Sequence, residues 1–489
     1  MGETGVPAAA TQNLSGRCLE RRRIQRECPD NVLFLSLLNY LIRKSFKRPP
    51  TTTEWARFQN YARRMRELTE FATPDSLSPE IFSVIQLCTG NEPLLPNLKS
   101  LQWSRIEGWL IPFIPMLLSP RTASVFLSFV SESNPPAVAS MITTIPTLCP
   151  DLQVIDLYSP SRDPIVIAAI SGTLLATNQN ILRELRVDSP LTEEASETIY
   201  KLPNLRSLSV AIERGIPLPS ASLPNLIDLI IKCDNEDAWP QLFHGATFGR
   251  LESIMFFLQS EQIGDFLGAF ERAALSSSLQ NTLSRFYIPA QRPWNPTYSS
   301  LLPFTQLVDL EIGFSCDGGC SSRVDDDIVI GLSRAMPKLK YLALGDAPCG
   351  RSTTGITTKG LLTLAHHCPK LWSLRVHLQV ASLCEPSRIP GMVRNAGPAA
   401  SWTDCTLTDL SVGKTPVPER SAMTIALTLL RIFPRLDCIM FIDEGWEEVE
   451  NAINCSREII DCSSKQHPLT TPWSTLNDHS TGAALETSG

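Results

Sequence analysis

The chain lacks a membrane span. None of its 489 residues belong to the roughly 18 unbroken apolar positions that a spanning helix needs. The most apolar stretch, NVLFLSLLNYLI, runs over 31–42 and reads as a buried helix. A secretory leader is also missing: MGETGVPAAATQNLSG has no basic segment followed by an apolar core. Gly2 opens a myristoylation-like start, but Val6 stands where that motif needs Ser or Thr. Histidine is scarce, with 6 in the chain, and no helical pair has metal-binding spacing. There is no P-loop, no G-x-S-x-G, no H-E-x-x-H and no dinucleotide glycine fingerprint. These absences predict a binding protein and not an enzyme, with no cofactor and no membrane partner.

Cysteine is present but unpaired in pattern. The 14 cysteines are scattered, which predicts reduced thiols and a cytoplasmic or nuclear location. The one close pair, Cys316-x3-Cys320, offers two ligands where a structural zinc needs four. The net charge of −7 argues against general nucleic-acid binding. The charge is uneven, with 13 Lys and Arg against 7 Asp and Glu in residues 1–70, so the remainder carries −13.

What the chain does have is a recurring frame, L-x-x-L-x-L. It occurs at Leu205-x-x-Leu208-x-Val210, Leu307-x-x-Leu310-x-Ile312, Leu339-x-x-Leu342-x-Leu344 and Leu371-x-x-Leu374-x-Val376. Further copies start at Leu98, Leu152, Leu182, Leu226, Leu251, Leu283, Leu407 and Leu436, and a weaker one at Thr122. These 13 copies stand 21–36 residues apart, too regular for chance in a Leu-rich chain. Several share a prefix: LPNL at 95–98, 202–205 and 223–226, with CPDL, MPKL, CPKL and FPRL as relatives.

Alternate residues of a strand point to one face, so positions 4 and 6 of the frame point inward together. Position 1 precedes the strand and turns into the core. The proline two residues before it ends the preceding helix. Each unit is then helix, Pro turn and short strand, and only a stack of such units buries its apolar face. The segments between frames agree. VDDDIVIGLSRAMPKL opens with Asp325–Asp327 at a helix N-terminus, and Ile328, Leu332 and Ala335 share a face. TTKGLLTLAHHCPKL places Leu361, Leu364, Ala365 and Cys368 on one face. Cys368, like Cys149, therefore reads as a small buried thiol at a helix end. His366 and His367 fall on the outer side or last turn, and the three side chains do not converge on a site.

GITTKGLLTLAHHCPKLWSLRV resembles the cysteine-containing leucine-rich repeat of fungal F-box/leucine-rich-repeat proteins. Their helix reads roughly G-L-x-x-L-A-x-x-C before P-x-L-x-x-L-x-L. Gly360, Leu361, Leu364, Ala365, Cys368, Pro369, Leu371, Leu374 and Val376 match position by position. The resemblance implies an α/β leucine-rich-repeat solenoid, with parallel strands on the concave face, helices outside and an N-terminal helical cap. It implies a substrate-recruiting subunit of a cullin-based ubiquitin ligase, docked to a Skp adaptor through an F-box. The alternative is a repeat-based binding protein with no ligase coupling.

The chain departs from that family in two ways. No copy carries Asn or Cys five residues after its second leucine, so an uneven solenoid is expected, with 385–401 looped out. No F-box start is legible in residues 1–50, which marks the F-box as degenerate or absent. LSPEIFSVI (77–85) is too close to the frame at Leu98 to open a three-helix bundle. The expected organisation is a disordered 1–30, a helical head over 31–90, the solenoid over 91–445, a cap over 446–462 and a disordered tail over 463–489. In the head, Thr53 is read as a helix cap, with Trp55, Phe58, Ala62, Met65 and Leu68 as one apolar face. Leu35, Leu38, Leu41, Trp55 and Phe58 are the candidate adaptor-facing residues.

Positions 3, 5 and 7 of each frame face outward on the concave side. They nominate Arg285, Tyr287, Asp309, Glu311, Tyr341, Ser373, Arg375, His377 and Asp409 as the candidate partner-binding face. Tyrosine and arginine among mixed charges suit recognition of a protein.

Overall fold

The computed structural model describes residues 50–69, 79–90, 92–130, 133–159, 162–212, 223–233, 243, 248–258, 266–276, 279–290, 297–314, 324–345, 355–384, 405–413, 415–418, 420–441 and 444–466. Leu35, Leu38, Leu41, Cys316, Cys320 and the expected loop at 385–401 lie outside these residues, as do the expected disordered segments apart from 463–466.

A single parallel sheet organises the molecule. Its strands are β1 (Glu67–Thr69), β2 (Ser100–Ile106), β3 (Ser124–Phe129), β4 (Val154–Tyr158), β5 (Glu184–Pro190), β6 (Ser207–Ile212) and β7 (Asp228–Cys233). They continue with β8 (Ser253–Leu258), β9 (Arg285–Ala290), β10 (Asp309–Phe314), β11 (Tyr341–Leu344), β12 (Ser373–Arg375), β13 (Asp409–Gly413) and β14 (Cys438–Phe441). The spatial order of the 14 strands found among the described residues is the sequence order, β1 through β14. Such an order is a solenoid: each unit pairs only with its predecessor and its successor.

Every strand from β2 to β14 starts at the third position of a frame found in the sequence. Register is kept over frame positions 3 to 5, so that Leu310 sits beside Phe286 on one side and Leu342 on the other, and it shifts further along the strands at β2–β3, β5–β6 and β13–β14. Positions 1 and 4 of these frames are buried throughout, and position 6 is buried up to Val412. At the C-terminal edge, Phe441 is half-buried. The irregular copy at Thr122 works because the threonine is fully buried and its hydroxyl reaches the Leu98 carbonyl at 3.2 Å. A buried polar group is tolerated when it is hydrogen-bonded.

The backbone joins unit to unit. The amide at position 2 donates to the position-2 carbonyl of the preceding unit, from Lys99 on Arg66 to Asp437 on Thr408, at 2.6–3.0 Å. This ladder exposes a copy that the sequence pattern hides. Met65 and Leu68 occupy positions 1 and 4, are buried, and place β1 against β2. The apolar helical face expected over Trp55–Leu68 therefore breaks. The helix Thr52–Ala62 ends at Ala62, and the sheet begins five residues later, at Glu67. Its N-cap is Thr51 and not Thr53. Glu54 stands three residues after Thr51 and completes a capping box.

Helices and turns fill the outer side. Helix Pro79–Thr89 holds the LSPEIFSVI segment, and Phe82 packs its ring against Trp109 and Phe113 at 6.0 and 5.4 Å. Helix Asp326–Ala335 is capped by Asp325, whose carboxylate accepts from the Ile328 amide at 3.1 Å. Its buried face is Val329, Leu332, Ser333 and Met336, one step round from the expected Ile328 and Ala335, which are half-buried. In helix Thr358–His367, Leu361, Leu364 and Ala365 are buried with Cys368 at its end, as the pattern predicted. Helix Gly445–Gln466 follows β14 and runs past 462; Trp446 is fully buried and its indole donates to the Thr415 carbonyl at 2.6 Å.

Where the units are long, aromatic rings fill the interior. Phe270 lies 4.7 Å from Phe286, 5.3 Å from Phe304 and 5.8 Å from Phe256, ring centroid to centroid, and is fully buried. Phe270→Ala is expected to cost about 3–5 kcal/mol. In a stack with nearest-neighbour coupling the damage stays local. Amide exchange should quicken in β8–β10 and hold in β2–β4; a uniform rise along the whole sheet would contradict the unit-by-unit picture.

Candidate recognition face

The outward residues form three rows across the sheet, at frame positions 3, 5 and 7. In the position-5 row, Tyr287 stands beside Glu311, Glu311 beside Ala343, and Ala343 beside Arg375. In the position-3 row, Arg285, Asp309, Tyr341, Ser373 and Asp409 succeed one another. Parallel strands lie about 4.8 Å apart, so neighbours in a row touch. All nine nominated residues thus lie in the outward rows of one surface, with His377 just beyond the end of β12.

Strand β10 is the centre of this surface. Tyr287, from β9, donates its hydroxyl to the Asp309 carboxylate at 3.3 Å. Tyr341, from β11, donates to Glu311 at 3.2 Å. Two tyrosines thus hold two carboxylates of one strand from opposite sides. Burial is the main cause that pushes the Asp309 carboxyl above its usual range, against the Tyr287 hydrogen bond and the nearby Arg285 and Lys340 cations. Burial also pushes the Tyr287 phenol up, with the Asp309 charge adding to it. Arg285 reaches across β8 to Asp228 at 3.0 Å. Ser373 is buried, Arg375 and His377 are half-buried, and the Thr408 hydroxyl donates to Asp409 at 2.7 Å.

The same rows continue into the N-terminal half, where the sequence reading named no residues although its positional rule reaches them. Arg186 bridges Asp156 at 3.8 Å and Glu184 at 3.6 Å. Lys232 pairs with Asp188 and lies 5.7 Å over the Phe257 ring. Phe126, Ile230, Met255 and Phe257 are half-buried, and Tyr158 is 44% exposed. From β2 to β14 the three rows carry seven carboxylates, Asp156, Glu184, Asp188, Asp228, Asp309, Glu311 and Asp409. Against them stand four cations, Arg186, Lys232, Arg285 and Arg375. The face is acidic, with an apolar strip across β7 and β8.

The remaining candidates are placed as follows. Trp55 and Phe58 are half-buried on the Thr52–Ala62 helix and stack on each other at 5.1 Å. Cys368 is fully buried, and its thiol faces the Met336 and Ser333 carbonyls at 3.5 and 3.7 Å. Burial pushes it up to about 12, so it stays protonated at neutral pH; Cys149 is pushed up to about 11 by the same cause. His366 is exposed and touches His367 ring to ring at 4.8 Å.

Comparison with known proteins finds no matching family and no matching curated relative. A solved structure described as "Crystal structure of Rad7 and Elc1 complex in yeast" aligns over 78% of this chain and 97% of its own. The two are 12% identical with a TM-score of 0.35, and no inference is drawn from a likeness at that level.

Burial of Lys232, set against its pair with Asp188, is expected to make the stability of this face depend on pH. Burial lowers its ammonium to about 8, outweighing the Asp156 charge, while Arg186 lowers it further. Between there and the ordinary lysine value of 10.5 the unfolded chain binds more protons than the folded one. Stability contributed by this group therefore rises with pH over that interval. Urea melts from pH 8 to 10.5 should show the wild type gaining stability relative to Lys232→Met; a constant difference would mean an ordinary lysine.

Proposed function

We propose that the chain is a protein-recognition scaffold, and that it serves as the substrate-recruiting subunit of a cullin-based ubiquitin ligase. The observation that carries the first part is the outward ladder of the sheet. Rigid strands in register hold tyrosines, arginines and carboxylates in fixed rows, with an apolar strip beside them. Fixed aromatic and charged anchors around an apolar centre are what a protein partner recognises. The acidic balance calls for a partner segment that brings lysine or arginine to Asp309 and Glu311.

The ligase part rests on the resemblance of the Gly360–Val376 repeat to F-box/leucine-rich-repeat proteins. It requires Skp-adaptor docking through residues 1–70, with Leu35, Leu38, Leu41, Trp55 and Phe58 as the candidate contacts, because the LSPEIFSVI helix is already used: Phe82 is buried against Trp109 and Phe113. That same observation favours a second reading, a leucine-rich-repeat scaffold without ligase coupling.

Tagged full-length chain and a version spanning 50–489 that also carries Trp55→Ala and Phe58→Ala would be recovered from a eukaryotic extract, with melting curves confirming that both fold. Skp adaptor and cullin on the full-length chain alone support the ligase reading. Their absence from both leaves the uncoupled scaffold. For any partner so identified, Asp309→Asn with Glu311→Gln should weaken binding by about tenfold or more; unchanged affinity would move recognition away from β10.

A further inference from the structure

Apart from the candidate recognition face, the edge where the strands begin carries a cleft of about 290 Å³. Its charged lining is Arg183, Arg206 and Arg250, and its polar lining includes Asn180, Asn204 and Asn225. No carboxylate lines it. Asp151 and Glu252 stand in the adjoining positions of the same edge, outside the lining.

Arg183 and Arg206 occupy position 2 of adjacent units, and the Arg206 amide donates to the Arg183 carbonyl at 2.7 Å. Their strands are about 4.8 Å apart. Like charges directly opposite each other destabilise a sheet, so folding does not account for the pair. Two other arginines along this edge have acceptors. Arg66 donates to the Arg63 and Asn97 carbonyls, and Arg121 to the Asn97 side chain at 2.7 Å. Arg183, Arg206 and Arg250 are exposed and have no side-chain partner among the described residues. The floor beneath them is fixed. Asn204 donates to the Asn180 carbonyl and Asn225 to the Pro203 carbonyl, each at 2.7 Å.

We propose that this cleft binds a phosphoryl group, with Arg183 and Arg206 as a paired clamp and Arg250 as a third cation. The guanidinium fork matches phosphate oxygens in a bidentate manner. No aromatic side chain lines the cleft, so the stacking that holds the bases of single-stranded nucleic acid is missing. The lining is polar and the volume small, which suits one or two phosphoryl groups and no large apolar ligand. The phosphoryl group belongs either to a free small molecule or to a phosphorylated protein segment.

Calorimetric titration of the full-length chain at low salt would use sodium pyrophosphate as the probe. Saturable binding is expected for the wild type and for Arg435→Gln, a charge-matched change elsewhere on the same edge. Arg183→Gln with Arg206→Gln should weaken binding at least about tenfold without lowering the urea midpoint. No saturable binding, or an equal loss in Arg435→Gln, would overturn the proposal. A second arm uses a short peptide with two phosphoserines and its unphosphorylated form. Tighter binding of the phosphopeptide than of pyrophosphate supports a protein-borne group, and the reverse order a small molecule. Equal binding of the unphosphorylated peptide would also overturn the proposal.

Discussion

The lateral hydrogen bond between consecutive units is the constraint on which everything else depends. Each unit offers one short strand and one outer segment, and neither buries enough apolar surface alone. The amide-to-carbonyl ladder at position 2 sets the register, and the register brings positions 1, 4 and 6 of every unit into one interior. An open parallel sheet has two edges, and an exposed edge invites pairing with another chain. Here helix Thr52–Ala62 precedes the first strand and helix Gly445–Gln466 follows the last. Trp446, fully buried with its indole on the Thr415 carbonyl, fastens the C-terminal helix to the stack.

That dependence explains which parts were legible in the sequence. Leucine at positions 1, 4 and 6 is a local pattern, and it located β2 to β14 with their first residues. The first unit escaped notice because Met65 takes position 1 and Glu70 stands at position 6, so the frame is broken to the eye although Met65 and Leu68 are buried. In the LPNL prefix the proline has a local role, ending the preceding helix. The asparagine has its own task, since Asn97, Asn204 and Asn225 each donate to a carbonyl of the preceding unit at 2.7 Å. That bond links residues 22–34 apart in sequence, and no local pattern encodes it.

The recognition face was legible as a set of positions and illegible as a set of contacts. Counting outward residues names Tyr287 and Asp309, yet the hydroxyl that joins them runs diagonally between strands. The same holds for Lys232 and Asp188, which skip a strand to meet. Side-chain length and strand spacing decide such pairs together. The consequence is a face whose charges are held in place before any partner arrives, so less side-chain freedom remains to be lost on binding.

The sequential order of the strands also governs how the molecule comes apart. Among the described residues, β1 and β14 stand at opposite ends of the strand order, and each pairs with a single neighbouring strand. A pull on either terminus therefore loads one inter-strand ladder at a time, as in opening a zipper, and never the whole sheet at once. A molecular motor that grips an end meets a series of small resistances, and the units it has not reached keep their interior closed.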